Sequence, residues 1–173
     1  MALGLAAASI VFSLVLACGA PFAGLAAVAA LTLGLRGAVG ATLLAFAANQ
    51  AVGFGVLGYP VTADSIGWGV ALGLSAGLAA VVASAAAGLD GLVTRATVAF
   101  LGAFLVQQAT VFAATAVLPS HPDAFAQSVI LSILATNALA FALFGGLTAL
   151  AFALASRRWQ LARVTPALER IAP

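Results

Sequence analysis

Hydrophobic residues fill most of this chain in six long runs, and the polar positions fall largely between them. The runs cover residues 3–17, 21–35, 38–57, 66–89, 96–118 and 124–155. A helix needs about 20 residues to cross a hydrocarbon core of about 30 Å, so the last four runs are long enough to span. Gly19 and Pro21 favour a break between the two shorter runs at the start. The pattern predicts an all-α membrane protein, a bundle of six transmembrane helices within residues 1–155.

The positions of the arginines predict the orientation of this bundle. With the N-terminus inside the cell, Arg36, Arg95 and the arginines after residue 155 all lie on the cytoplasmic side, as the positive-inside rule requires. We therefore expect cytoplasmic N- and C-termini and a multi-pass protein of a bacterial inner (plasma) membrane. Residues 156–173 are expected to form a cytoplasmic juxtamembrane tail. We expect the first run to be retained as a span, with cleavage as a lipoprotein-like signal as the alternative.

Composition narrows the classes of function. Of the 173 residues, 65% are hydrophobic and 6% are charged, against about 25% charged in soluble proteins, so the lipid bilayer is a partner. The chain has no lysine, which excludes a Walker A ATP site and lysine-based covalent chemistry. None of its six arginines lies in a solvated cluster with aromatic partners of the kind that nucleic acid needs, so no nucleic-acid partner is expected.

The residues that commonly hold metals are scarce. The sequence has one cysteine, Cys18, and one histidine, His121. A single histidine cannot supply a multi-histidine zinc site, and a single cysteine cannot form an internal disulfide. His121 is interpreted as a solvated loop residue, with a metal or proton-relay role beside Asp123 as the alternative. We predict no metal and no cofactor.

Carboxamide side chains inside the apolar runs carry the most chemical information. Lipid satisfies neither the donors nor the acceptors of an amide, so such groups face the bundle interior or a wet cavity. Neighbouring helix positions point about 100° apart, so one amide of a consecutive pair can brace a helix while the other faces a cavity. Ser128, Ser132 and Thr136 add hydroxyls along one face of the sixth helix. The predicted ligand-binding residues are Asn49, Gln50, Tyr59, Trp68, Gln107, Gln108 and Asn137.

Each of these residues also has a structural interpretation. Membrane amides often hold helices together, at about 0.6 kcal/mol each on average. Tyr59 and Trp68 are also typical of the aromatic belt at a membrane interface.

Small residues predict how one helix packs. Gly69, Gly73 and Gly77 recur every four positions in the fourth run, a spacing that lets two helix backbones approach closely in lipid. We predict that this helix is the packing centre of the bundle, with docking of a partner protein as the alternative. Residues 73–77 also match the G-x-S-x-G pattern, but a hydrolase elbow needs a strand and a sharp turn rather than a helix. No catalytic residue is assigned, and the chain is not expected to be an enzyme.

With these features the chain resembles the substrate-binding membrane subunit, the S component, of energy-coupling factor (ECF) transporters. The resemblance covers the six-helix plan, the small size, the outward-biased amides and the absence of an ATPase motif. Ala2 and Ala6, or Gly4 and Ala8, have the spacing that such subunits use to contact a membrane coupling partner. The resemblance implies capture of a small vitamin- or cofactor-like molecule and its uptake, with a membrane coupling subunit and ATPases as partners.

Two other classes of function stay open. The chain is alternatively a structural or assembly protein that acts through helix–helix contacts, in which the amides only hold helices together. A stand-alone channel or proton-coupled carrier is a third option, which the lack of Asp, Glu or His within the runs disfavours. Co-purifying proteins would separate the first two classes.

Overall fold

The computed structural model describes residues 20–169, with side chains described up to residue 156. Four α-helices follow one another: α1 (Phe22–Gly55), α2 (Ala63–Ala85), α3 (Leu92–Ala114) and α4 (Gln127–Glu169). Short 3-10 helices cover Ala86–Gly88 and Pro122–Phe125. Within this range the secondary structure is entirely helical, which confirms the all-α prediction.

Four segments of the described range are long and apolar enough to cross a membrane: Phe22–Gly55, Ala63–Gly88, Leu92–Ala114 and Gln127–Ser156. The prediction of six separate helices is not supported. The first predicted run lies outside the described residues, and the second and third runs together form α1. Over residues 20–169 the protein is thus α-helical, with four helices capable of spanning a membrane.

Helix α1 is folded back on itself at Gly34. This residue has φ 68° and ψ 174°, a conformation outside the helical region that is essentially restricted to glycine. The rings of Phe22 and Phe46, each 12 positions from Gly34, have centroids 5.8 Å apart. A straight helix would hold these two residues about 36 Å apart. We therefore divide α1 into α1a (residues 22–33) and α1b (residues 35–55).

Segment α1a is too short to cross a bilayer. Its 12 residues rise only about 18 Å, a little over half of the hydrocarbon thickness. Residues 22–30 are all buried, as expected for a helix that is apolar on every side. The second run, predicted as an independent span, is instead a half-length helix in the interior of the protein.

The remaining helices alternate in direction. A Cβ atom on Gly67, near the start of α2, would touch Leu118, just beyond the end of α3, and one on Gly102 would touch Val82. Hence α2 and α3 are antiparallel. The connections 56–62 and 115–126 meet at one end of the bundle, here called the loop end. Gly34, the connection 89–91 and residue 156 define the opposite end, here called the arginine end because it holds Arg36 and Arg95.

Helices α1 and α2 make most of the helix contacts. Helix α1 contacts α2, α3 and α4, whereas α2 packs mainly on α1 and α3. The α1 hairpin supplies two helical layers, and its small residues Ala38, Ala41 and Ala45 are buried along with residues 22–30 of α1a. The glycine-rich fourth run packs on two neighbouring helices, and its role as the packing centre stays a prediction.

The three glycines of α2 face α1b. A Cβ atom at Gly69 would lie 2.7 Å from the Gln50 Nε2 atom, and one at Gly73 would lie 2.8 Å from the Phe46 ring. At Gly77 the nearest atom is Leu43 Cδ2, at 3.6 Å. The four-residue spacing thus places the predicted packing residues along a single helix contact.

Helix α4 passes through the boundary predicted between bundle and tail. It continues without interruption from Gln127 to Glu169, a length of 43 residues. At 1.5 Å per residue it is about 64 Å long, roughly twice the hydrocarbon thickness. Among the side chains described up to residue 156, those of α4 that are buried are Asn137, Ala140 and Phe144.

Candidate functional site

A polar cavity of about 330 Å³ lies between α1, α3 and α4; we call it the inner cavity. Helices α3 and α4 make little direct contact with each other, and the space between them forms the cavity. Asn49 comes from α1b, Gln107 and Gln108 come from α3, and Asn137 comes from α4. Its full lining is Ala20, Phe22, Asn49, Leu72, Gln107, Gln108, Val111, Ser132, Ile133, Thr136 and Asn137. The structure therefore brings together four of the five predicted amides and two of the three predicted hydroxyls.

Gln107 lines this cavity and has one buried polar atom without a partner. The residue is only 6% exposed, and its Oε1 atom has no hydrogen-bond partner among the described residues. A buried carbonyl without a donor costs about 1–3 kcal/mol. This oxygen is itself buried, so the missing donor is a cost to stability rather than a contact that the cavity offers.

Asn137, in contrast, already joins two helices. Its Oδ1 atom accepts a hydrogen bond from the backbone N–H of Gly24 at 3.0 Å, and its Nδ2 atom donates to the Ile133 carbonyl at 2.9 Å. Gly24 lies in the first turn of α1a, where backbone N–H groups lack intrahelical partners. Asn137 thus caps α1a from another helix. The contacts of Asn137 are those of an amide that holds two helices together.

The consecutive pair Asn49 and Gln50 divides its two amides between different surroundings. Asn49 lines the inner cavity, while Gln50 lies against Gly69 of α2. One amide faces the cavity and the other faces a helix contact, because successive helix positions point about 100° apart. Gln50, predicted as a ligand-binding residue, is not among the residues that line either polar cavity.

A second cavity, of about 300 Å³, lies at the loop end; we call it the outer cavity. Trp68, Pro119, Ser120 and His121 are among the residues that line it. Gln108, Val111 and Ile133 line both cavities, so these three side chains stand between them. The two cavities are therefore adjacent, one at the loop end and the other nearer the middle of the bundle.

Trp68 holds the wall of the outer cavity in place. Its indole N–H donates to the carbonyl of Pro119 at 3.0 Å, which ties the start of α2 to the connection after α3. Trp68 is partly buried, and its side chain forms part of the wall of the outer cavity.

We expect Trp68→Phe to retain the ring contacts and lose this hydrogen bond, at a cost of about 1 kcal/mol. The thermal unfolding midpoint should fall, and hydrogen exchange at residues 119–121 should accelerate. Trp68→Leu, which also removes the ring, should lower the midpoint further. Unchanged exchange in both variants would show that the indole does not anchor this connection.

Tyr59 does not reach either polar cavity. Its backbone N–H donates to the Gly53 carbonyl at 3.0 Å, and its ring packs over Gly53 and edge-on to Phe54, with centroids 6.2 Å apart. Gly58, with φ 70°, turns the chain so that Tyr59 folds back on the end of α1. Tyr59, predicted as a ligand-binding residue, lines neither of these two cavities, because the turn at Gly58 folds its ring onto Gly53 and Phe54.

His121 and Asp123 form an exposed pair beside the outer cavity. The His121 Nδ1 atom lies 3.7 Å from the Asp123 Oδ2 atom, and both side chains are about four-fifths exposed, at 78% and 82%. The described residues contain no group of three or more His, Cys, Asp or Glu side chains that would hold a metal.

Ser75, in the G-x-S-x-G match, lies inside α2 and donates to the Leu72 carbonyl at 2.8 Å.

Five apolar residues of the inner cavity were not predicted: Ala20, Phe22, Leu72, Val111 and Ile133. No signal in the sequence separates them from other apolar residues, since lipid-facing and interior positions have the same composition in this chain. Ser132 and Thr136 were indicated by their spacing along one helix face, whereas Ser128, on the same face, lies outside both linings.

The fold and cavities define a class: an α-helical protein whose described part has four helices able to span a membrane and a cavity lined by amides between them. Comparison with protein-family models, curated proteins and solved structures finds no match. Function is therefore inferred from the cavities themselves.

Proposed function

We propose that this chain is a membrane-embedded subunit that binds a small neutral molecule in the inner cavity and serves in its uptake. The observation that carries the proposal is the convergence of amides and hydroxyls from three helices on one cavity at the middle of the bundle. None of the described residues that line it is charged, which favours a neutral ligand because an ion would lack a counter-charge. The chain has no Walker A motif, so energy for uptake would come from ATPases on other chains.

The orientation and the partners belong to the same proposal. Arg36 and Arg95 both lie at the arginine end, which we assign to the cytoplasm by the positive-inside rule. The loop end would then face outward, and the outer cavity would be the entrance. A multi-pass location in a bacterial inner membrane and an ECF-like membrane coupling subunit complete this proposal, which the resemblance to S components motivates.

Access from water tests the proposal directly. In a Cys18→Ala background, Thr136→Cys should react with a small membrane-impermeant thiol reagent added at the loop end, because Thr136 lines the inner cavity. Leu139→Cys, at a 55% exposed and lipid-facing position of the same helix, should stay unreactive. Equal protection of both cysteines would exclude a wet cavity and with it the proposed function.

Ligand binding gives a second test. Asn49→Leu combined with Gln108→Leu should weaken binding of a retained small molecule by about 100-fold, since each lost hydrogen bond in a buried site costs on the order of 1 kcal/mol or more. Native mass spectrometry of the purified protein measures the retained molecule, and membrane insertion should be intact. Gln50→Met is the matched control, because it removes the neighbouring amide that faces α2. Retention of the same molecule by the double variant would contradict the amide site.

The structural or assembly class remains the second candidate, and two observations favour it. Gln50 and Asn137 contact neighbouring helices in the way that bracing amides do. An apolar groove of about 380 Å³ also lies between α1b and α2, with Gly73 and Gly77 in its lining. An assembly protein should co-purify with a larger membrane complex and should lose it on Gly77→Leu, whereas an uptake subunit should co-purify with ATPases.

A further inference from the structure

Three residues lie between the inner cavity and the outer cavity, because Gln108, Val111 and Ile133 line both. Gln108 and Val111 are three positions apart on α3, so they share one face of that helix, and Ile133 comes from α4. All three residues are partly buried. Helices α3 and α4 make little direct contact, so these residues rather than a close helix contact form the partition between the two cavities.

The three residues differ in how easily their side chains change conformation. Val111 and Ile133 are β-branched, and in a helix such a side chain keeps one χ1 rotamer in about nine cases of ten. Gln108 is unbranched at Cβ, and it makes no hydrogen bond to another residue of the described part of the chain. A rotamer change of Gln108 therefore breaks no hydrogen bond there, whereas one of Val111 or Ile133 is sterically disfavoured.

The partition lies where a polar molecule from the loop end would have to pass. The outer cavity is at the loop end, which the proposed function assigns to the outside, and it borders the inner cavity at these residues. The sides of α3 and α4 carry exposed apolar residues such as Leu105 and Leu139 and face lipid. Lipid offers no hydrogen bonds to a polar molecule, so entry through the sides is unfavourable.

We propose that Gln108, Val111 and Ile133 form a size-selecting gate between the outer and the inner cavity. Gln108 is the side chain that swings aside, and Val111 and Ile133 set the width of the opening. This inference rests on the proposed function, because it concerns the entry of the ligand into the same cavity. It makes Val111 and Ile133 determinants of ligand size, while Gln108 serves both entry and binding.

Thiol reagents of two sizes test the gate. The full chain with Cys18→Ala and Thr136→Cys is placed in lipid nanodiscs and treated with compact sulfonatoethyl methanethiosulfonate or with a bulky stilbene disulfonate maleimide. Both reagents are charged and do not cross lipid. Each rate is divided by the rate at Val61→Cys, a 75% exposed position in the connection 56–62. The compact reagent should then react at least about tenfold faster than the bulky one, because the bulky one must force a β-branched side chain off its rotamer.

Variants of Val111 and Ile133 test the width of the opening. Val111→Ala and Ile133→Ala should each speed the bulky reagent by about tenfold and change the compact one little, whereas Ile133→Phe should slow both. Val106→Ala and Ile130→Ala are the matched controls. They are the same substitutions in the same helices, at partly buried positions that pack on the core and line neither cavity. These controls should leave the ratio of the two rates unchanged.

Variants of Gln108 separate movement from size. Isoleucine and methionine have similar volumes, but isoleucine is held in one χ1 rotamer in a helix and methionine is flexible. The compact reagent should react at least about tenfold more slowly with Gln108→Ile than with Gln108→Met. Similar rates with these two variants would overturn the role of Gln108 as the moving side chain.

The remaining outcomes separate the gate from the proposed function. Equal relative rates of the compact and the bulky reagent in the starting protein overturn the gate. Effects of Val111→Ala and Ile133→Ala no larger than those of their controls overturn it as well. In both cases, reaction of Thr136→Cys with the compact reagent leaves the wet cavity in place. If Thr136→Cys reacts with neither reagent, the gate and the proposed function fail together.

Discussion

Replacement of Gly24 by alanine is expected to have the largest effect on stability in this chain. A Cβ atom there would lie 2.5 Å from the Asn137 backbone oxygen and 3.1 Å from the Phe141 backbone nitrogen. These are backbone atoms of α4, so no side-chain rotation relieves the clash. Helix α1a would have to move away from α4, and the hydrogen bond from Gly24 N–H to Asn137 would be lost. Overpacking of this kind costs typically about 1–3 kcal/mol, and the lost hydrogen bond adds about 1 kcal/mol.

The measurement is the unfolding free energy in a mixed detergent titration followed by circular dichroism. Gly40→Ala is the matched control, because Gly40 lies in the same helix and a Cβ atom there would meet nothing within 4 Å. That variant should be neutral or more stable by up to about 1 kcal/mol from helix propensity alone. Similar stability of the two variants would mean that α1a does not pack on α4 at Gly24.

Replacement of Gly34 by alanine is expected to have the second-largest effect. Its φ of 68° and ψ of 174° lie in a region that a side chain makes unfavourable by about 1–3 kcal/mol. Space is not the cause, since a Cβ atom at Gly34 meets nothing within 4 Å. An alanine at this position would therefore destabilise the bend itself. The backbone strain would be relieved only if α1a and α1b moved apart.

A pair of engineered cysteines reports on this separation. In the Cys18→Ala background, Phe22→Cys and Phe46→Cys should cross-link with a short reagent, because the phenylalanine rings have centroids 5.8 Å apart. Adding Gly34→Ala should lower both the cross-linking yield and the unfolding midpoint. Gly55→Ala, also in α1 and also without a close neighbour, should change neither. A full yield with Gly34→Ala would show that the bend tolerates a side chain.

The bend at Gly34 also shapes the cavity. Because α1a is only about 18 Å long, its N-terminal end at Phe22 lies inside the bundle rather than at a membrane surface. Ala20 and Phe22 there form part of the inner cavity lining, and Asn137 caps the N–H of Gly24. A helix end at membrane depth needs such protein partners, since lipid offers no hydrogen bonds. The short length of α1a thus leaves space for the cavity. Its N-terminal N–H groups also require an acceptor, which Asn137 provides for Gly24.

The predicted site and the observed cavity agree on the depth at which the amides lie, because depth does not depend on the rotation of a helix about its axis. Asn49, Gln107, Gln108 and Asn137 meet because three of the predicted helices place their amides at similar depth. The sequence left open which amide of each pair faces inward. Asn49 faces the cavity and Gln50 faces Gly69, while both Gln107 and Gln108 reach the cavity between the separated α3 and α4. The position of Tyr59 outside the two cavities follows from its contacts with Gly53 and Phe54, which the sequence does not indicate.

By itself, the sequence determined that the chain is helical and apolar enough for a membrane, and that its amides are confined to a few depths along three of the helices. Composition and hydrophobic run length are local properties, so they needed no tertiary information. Only the tertiary structure decided that the second run is a half-length helix folded back at Gly34, that α1 contacts all three other helices, and that Asn137 joins two helices while Gln107 lines the cavity. The physical reason is that core and lipid are equally apolar, so Ala, Leu and Val fit either side of a helix. Which side faces a neighbour is set by backbone geometry at single glycines and by contacts between residues far apart in the chain.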